Sequence, residues 1–229
     1  MKKLFVFLLG VILSVPLLSQ DLSVVDSTKK EFKVNTLFSH KNKRDIQLGY
    51  FMEMNAGYTQ IGDKNVFLPG MNIGLILNHN WSVGLSGSFI GNSGNMYFEN
   101  IYYSSNIPDL QTGAYLFGGY GGGLFEYTAF PRSVVHFSIP VMIGGGYFAY
   151  FDDIPNAHSD YNSWDYSTID WNVCFVIEPG IKAEFNILKM LRLGIGVSYR
   201  YSPNFELVNT PDDLLNQFTG RFSLRFGKF

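Results

Sequence analysis

The chain holds one cysteine in 229 residues. Cys174 therefore has no internal disulfide partner and no second thiolate with which to build a zinc site, and it reads as a small buried side chain. Charge is scarce too. Asp, Glu, Lys and Arg make up 16% of the residues, against about 25% in ordinary soluble domains. The formal net charge of −2 excludes the basic footprint of a nucleic-acid binder. Beyond residue 18 no apolar run approaches the roughly 20 residues of a membrane helix. The glycine run Gly118 to Gly123 lacks the Lys-Ser/Thr ending of a phosphate loop and precedes no helical pattern. No cofactor and no resident metal is implied.

Aromatic residues and glycine are plentiful, at 17% and 24 residues. A transmembrane β-barrel needs this mixture: aromatic girdles at both interfaces, an apolar outward band, and glycine where strands bend.

The start of the chain is different. Met1-Lys2-Lys3 leads into an apolar stretch from Leu4 to Leu18, followed by Ser19-Gln20-Asp21. A basic end, an apolar run and a small residue before polar sequence describe a secretory signal peptide, residues 1–19, cut after Ser19. The run is too short for a spanning anchor, and without a cysteine at the cut a lipid anchor does not fit. Residues 20–46 are polar and charged and read as a periplasmic lead-in. Residues 47–229 form the barrel domain.

Period two dominates from there on. Ile169, Trp171, Val173, Phe175, Ile177, Pro179, Ile181, Ala183 and Phe185 share one face, with Asp170, Asn172, Cys174, Val176, Glu178, Gly180, Lys182 and Glu184 on the other. That run exceeds the 9–11 residues that cross a bilayer at a tilt. Similar runs cover Gln47 to Tyr58, Phe67 to Leu77, Trp81 to Phe89, Val135 to Ile143, Leu191 to Tyr201 and Phe218 to Phe226. The run Tyr115 to Tyr127 fits either phase; setting Phe125 and Tyr127 outward points Glu126 inward. Eight runs in all predict an eight-stranded, antiparallel, up-and-down transmembrane β-barrel, because lipid cannot hydrogen-bond an open strand edge. A ten-strand count remains open if the lead-in contributes strands.

The links agree. Asn78-His79-Asn80, Thr128 to Arg132 and Asn186 to Lys189 are short, whereas Asn92 to Leu110, Phe151 to Thr168 and Ser202 to Asn216 read as long, polar and tyrosine-rich. Gln60 to Asn65 is an intermediate exception. Short turns on one side and long loops on the other match outer-membrane barrels, with short turns periplasmic. A soluble lipocalin-like barrel would carry the opposite polarity: here Glu53, Glu178, Lys182, Glu184, Arg192, Arg200, Arg221 and Arg225 fall on the less apolar faces. They are expected in the lumen as a sealing ion-pair network, since an eight-strand interior is just wide enough to be filled by side chains.

Gly57-Tyr58-Thr59-Gln60-Ile61, Asn72-Ile73-Gly74, Asn78-His79-Asn80, Pro140 to Tyr147 and Phe226-Gly227-Lys228-Phe229 resemble a family of small outer-membrane β-barrel proteins of Bacteroidetes-type bacteria, and more broadly the OmpA/OmpX-like barrels. The resemblance implies outer-membrane lipid and the barrel-assembly machinery as partners, and no particular activity. Such barrels usually close on a Phe in phase with the outward residues of the last strand. Phe229 is out of phase with Phe222, Leu224 and Phe226; a bulge at Gly227 would restore it, or Phe226 takes the role.

Few residues suggest chemistry. His136 and Ser138 resemble the His-x-Ser of outer-membrane lipid A deacylases, with Glu178 or Glu184 as the acid, but they fall near the short turns, away from the outer leaflet, and read as lumen residues. Asp152, Asp153, His158, Asp160 and Asp165 match no EF-hand spacing and read as a solvated loop. Tyr102, Tyr103, Tyr161 and Trp164 are candidate contacts to an external protein or glycan ligand, since tyrosine is enriched in interfaces. The expectation is a non-catalytic outer-membrane barrel serving envelope structure or surface binding. The alternatives are a narrow pore for small solutes and, more remotely, a lipid-modifying enzyme.

Overall fold

The computed structural model describes residues 47–91, 93–103, 111–152 and 168–229. The chain divides into Met1–Arg44 and Asp45–Phe229, and the described residues all belong to the second unit. The signal peptide and lead-in expected over 1–46 lie outside them, as do Tyr161 and Trp164.

Every strand is antiparallel to its neighbours. They are β1 (Leu48–Ile61), β2 (Lys64–Leu77), β3 (Trp81–Phe89), β4 (Tyr97–Tyr103), β5 (Gln111–Ala129), β6 (Val135–Phe151), β7 (Thr168–Leu188), β8 (Leu191–Tyr199) and β9 (Phe218–Lys228). The sheet order is β3-β2-β1-β9-β8-β7-β6-β5-β4, and β3 also pairs with β5. The β1–β9 and β3–β5 pairings turn the sheet back on itself, so the hydrogen-bonded ladders run in a ring.

Among the described residues nine strands are present where the alternation marks eight runs. The additional one, β4, lies inside the stretch from Asn92 to Leu110, where the sequence pattern predicts a loop. Its cause is a mismatch of lengths. β5 has 19 residues and β3 nine, so β3 covers only Gly119 to Tyr127 of β5. The remaining half of β5 would present an unpaired edge. β4 covers it, pairing Tyr97 with Tyr115 and Tyr103 with Gln111 across a bulge. β3 and β4 thus follow one another along the same side of β5.

The β2–β3, β5–β6 and β7–β8 turns sit at one end of the ring, the tight-turn end. Between β2 and β3, Asn78 and His79 both take positive φ, 52° and 64°, and Asn80 N–H closes the turn on the Leu77 carbonyl at 3.2 Å. At the opposite end β1 and β2 are joined through Gly62-Asp63, with Gly62 at φ 61°; the intermediate link is a tight hairpin.

Period two sets the two surfaces. In β1 the residues from Gly49 to Ile61 alternate so that Tyr50, Met52, Met54 and Tyr58 are exposed while Phe51, Glu53, Asn55, Gly57 and Thr59 are buried. In β5 Phe125 and Tyr127 face out and Glu126 is 1% exposed. Around the ring the outward face is apolar: Ile73, Leu75, Leu85, Ile139, Ile143, Ile181, Ile195 and Phe222 are all exposed. The interior holds Glu53, Glu126, Glu178, Lys182, Glu184, Arg192, Arg200 and Arg225, all buried.

Candidate functional site

The interior is stratified. Toward the tight turns, three carboxylates from three strands converge on two cations. Arg225 of β9 donates through Nε to Glu53 at 2.6 Å and through both terminal nitrogens to Glu126, the Nη2 bond being 2.9 Å. Lys182 of β7 lies 2.9 Å from Glu53, 3.0 Å from Glu126 and 2.9 Å from Glu184. A guanidinium gripping a carboxylate with two parallel bonds is a strong, directional pair. Asn72 of β2 donates to Glu53 at 2.8 Å. Arg192 of β8 sits at the margin, 3.7 Å from Glu184, with its guanidinium 3.6 Å above the Phe229 ring. Arg225 also stacks on Phe51, 4.3 Å from the ring centre.

A second group lies nearer the long loops. Glu178 of β7 accepts from Arg221 Nε at 3.0 Å and from Ser198. Arg221 reaches on to Asn55 at 2.9 Å and to the Tyr120 hydroxyl at 2.9 Å. Arg200 is 1% exposed and has no carboxylate partner among the described residues; it donates to the Leu215 carbonyl at 2.8 Å and lies 5.3 Å from the Tyr120 ring centre. Of the eight charges named from the sequence, Glu53, Lys182, Glu184, Arg192 and Arg225 share one cluster, Glu178 and Arg221 form another, and Arg200 stands apart. Glu126 and His136 complete the first cluster. Both stand on the inward phase of their strands, which is the signal that finds them.

A void of about 60 Å³, lined by Glu53, Asn72, Glu178, Lys182 and Arg221 among others, separates the two groups. It has room for a few waters.

Above the second group the interior becomes apolar. Ile61, Leu68, Leu116, Phe148 and Val176 of the strands pack with Phe205, Leu207, Leu214 and Leu215 of the β8–β9 connection, and all are buried. The sequence suggests a polar, tyrosine-rich loop there; instead the apolar side chains of the connection cap the ring from inside. Phe205 meets Phe148 edge-on at 5.8 Å, Tyr150 Oη bonds Thr210 Oγ1 at 3.0 Å, and Asn209 Nδ2 donates to the Ile101 carbonyl at 2.8 Å. Cys174 is buried in the same layer.

His136 and Ser138 are both buried, and each turns to Glu184 Oε2, at 2.9 and 3.3 Å. Ser138 also meets Thr128 Oγ1 at 3.2 Å. A nucleophile needs its base within reach and the base oriented by the acid. Here the acid stands between the two, and the site is walled off by Lys182 and Arg192. Tyr102 and Tyr103 lie on β4; Tyr102 packs partly against the apolar cap, and Tyr103 is 63% exposed. Phe229 folds inward against Phe51, Ile76 and Leu124. No bulge intervenes: Phe226, Gly227 and Lys228 pair in unbroken register with Met52, Phe51 and Tyr50, and Phe226 is the last outward aromatic.

No protein-family model and no curated protein matches the chain. Among solved structures, the chain is similar to a major outer membrane protein from Thermus thermophilus at 13% identity and a TM-score of 0.49, over 79% of this chain and 98% of that one. It is also similar to the N-terminal β-barrel domain of Pseudomonas aeruginosa OprF, at 11% identity and a TM-score of 0.45, over 80% and 98%, and to Neisserial surface protein A, at 12% and 0.45, over 80% and 97%.

Proposed function

We propose that residues 47–229 form a closed, non-catalytic barrel of eight ring positions in an outer membrane, with β3 and β4 sharing one position, and that it serves envelope structure or surface binding at its long-loop end. The carrying observation is the pairing of an apolar outer face with a filled interior. The outward residues form a continuous band with Trp81 and Tyr127 near the tight turns and Tyr58, Phe89, Tyr147, Trp171 and Phe218 toward the loops. In water such a band far exceeds the few hundred Å² that a soluble monomer leaves exposed; in a bilayer it is the girdled surface of a spanning barrel. The nine residues of β3 and of β8 just suffice to cross, and the excess length of β5, β6 and β7 extends beyond the membrane on the loop side. Tyr103 is placed there for contact with an external protein or glycan.

Single-channel recording on the refolded protein in a planar bilayer tests the sealed interior. The expected record is silent, with insertion verified by quenching of Trp81 and Trp171 fluorescence by brominated lipid. Steady conductance would make the barrel a pore and the inward charges its selectivity filter.

A further inference from the structure

The tight-turn end holds a concavity of about 560 Å³ whose lining includes Arg132, Lys189, Arg192, Leu188 and Phe229 and, among the described residues, no acidic side chain. Its walls are fixed. Asn186 of the β7–β8 turn donates its side-chain amide to the Ser133 carbonyl at 2.8 Å and its backbone N–H to the Val134 carbonyl at 2.9 Å, lacing that turn to the β5–β6 turn. Arg132 and Lys189 are exposed on the two turns. Arg192 lies at the back, 5% exposed, its Nε without a hydrogen-bond partner. Glu184, the carboxylate behind it, is 3.7 Å away and already engaged by Lys182 and His136. Around the cations stand exposed apolar side chains, with Phe130 at 72%, Val134 at 71%, Leu188 at 64% and Met190 at 62%.

We infer that this concavity is a binding site for the headgroup of an anionic phospholipid, the phosphate held by Arg132, Lys189 and Arg192 and the acyl chains lying against Phe130, Val134, Leu188 and Met190. Charge complementarity carries the inference: three cations, one of them a half-satisfied guanidinium, converge where apolar residues would meet a membrane surface. Neither the sealed lumen nor the long loops use Arg132 or Lys189. The inference rests on the membrane reading above, because only in a bilayer do the tight turns lie at a headgroup layer.

Native mass spectrometry of the full chain, refolded in zwitterionic micelles, tests it with three probes: phosphatidylglycerol, phosphatidylcholine of the same acyl chains, and inorganic phosphate. The expected result is retention of one phosphatidylglycerol, with phosphatidylcholine at least about tenfold weaker. The R132Q/K189Q double variant, altered only on exposed turns, should lose about twenty-five-fold, near fivefold per cation at a membrane surface. Equal retention of the two lipids, or an unaffected double variant, overturns the site. Inorganic phosphate binding as tightly as phosphatidylglycerol means a free-anion site and overturns the headgroup assignment. Failure of brominated lipid to quench Trp81 would instead overturn the membrane reading itself.

Discussion

At the scale of single residues, the interior charges divide into those that hold the ring and those that do not. Glu126 is 1% exposed and gripped by Arg225 and Lys182. Removing one partner of a buried pair leaves an uncompensated charge and costs about 3–5 kcal/mol. Glu126→Gln should lower stability by that amount in urea unfolding from lipid vesicles, whereas Asp63→Asn, which breaks an exposed pair with Lys64 at 3.4 Å, should change it by less than about 1 kcal/mol. The combined change E126L/R225M should cost less than the two single changes together, because it removes both charges at once. Two glycines contrast in the same way. A Cβ on inward Gly144 would collide with the Gly121 carbonyl oxygen, while one on Gly123 meets nothing nearer than 3.6 Å. Gly144→Ala should therefore cost at least about 1–3 kcal/mol as overpacking, and Gly123→Ala should be tolerated, in the same unfolding assay. Much of this is legible in the amino-acid sequence. Period two assigns Glu53, Glu178, Lys182 and Arg225 to one side, and the either-phase run of β5 is resolved by refusing to put Glu126 in lipid. Which carboxylate meets which cation is not legible, because Arg225 reaches beyond its directly opposed neighbour Glu53 of β1 to Glu126 of β5 and Glu184 of β7, and that depends on closure.

At the scale of elements, two features escape the alternation for one reason: neither has a period of its own. β4 is seven residues with a bulge between Phe98 and Tyr102, so its inward and outward residues change phase halfway. The β8–β9 connection spaces Phe205, Leu207, Leu214 and Leu215 irregularly, and nothing in that spacing announces that they turn into the ring. Their burial makes a prediction about exposure of the backbone. With the cap seated, the connection is anchored by Arg200 to Leu215, Asn209 to Ile101 and Thr210 to Tyr150, and it should resist protease added to the loop side of proteoliposomes. Phe205→Ala, which removes a fully buried ring, should cost about 3–5 kcal/mol and make the connection cleavable. Cleavage of the unaltered protein at the same rate as the variant would mean that the cap is not seated.

At the scale of the whole molecule, the question is whether the nine strands close into a ring or end at two edges. In sheet order β3 and β4 stand at opposite ends, and only the β3–β5 ladder joins them. A closed ring leaves no strand edge to be satisfied by lipid, which cannot hydrogen-bond it. An open sheet would leave β3 bare and invite pairing between chains. Cross-linking distinguishes the two. Residues directly opposite in an antiparallel ladder have Cα atoms about 4.5–5.5 Å apart, within the span that a disulfide bridges. Three opposed pairs report on the ring: Ala56 with Phe222 across β1–β9, Val83 with Phe125 across β3–β5, and Tyr97 with Tyr115 across β4–β5. Each is replaced by cysteines in a Cys174→Ala background, which removes the native thiol. Closure with β3 and β4 sharing one position requires all three pairs to oxidise within single molecules, each giving a band that migrates as monomer and keeps its compact mobility until boiled. If the 97–115 pair forms within the chain while the 83–125 pair forms only between chains, then β3 is an edge, the sheet is open, and the sealed interior described above loses its wall.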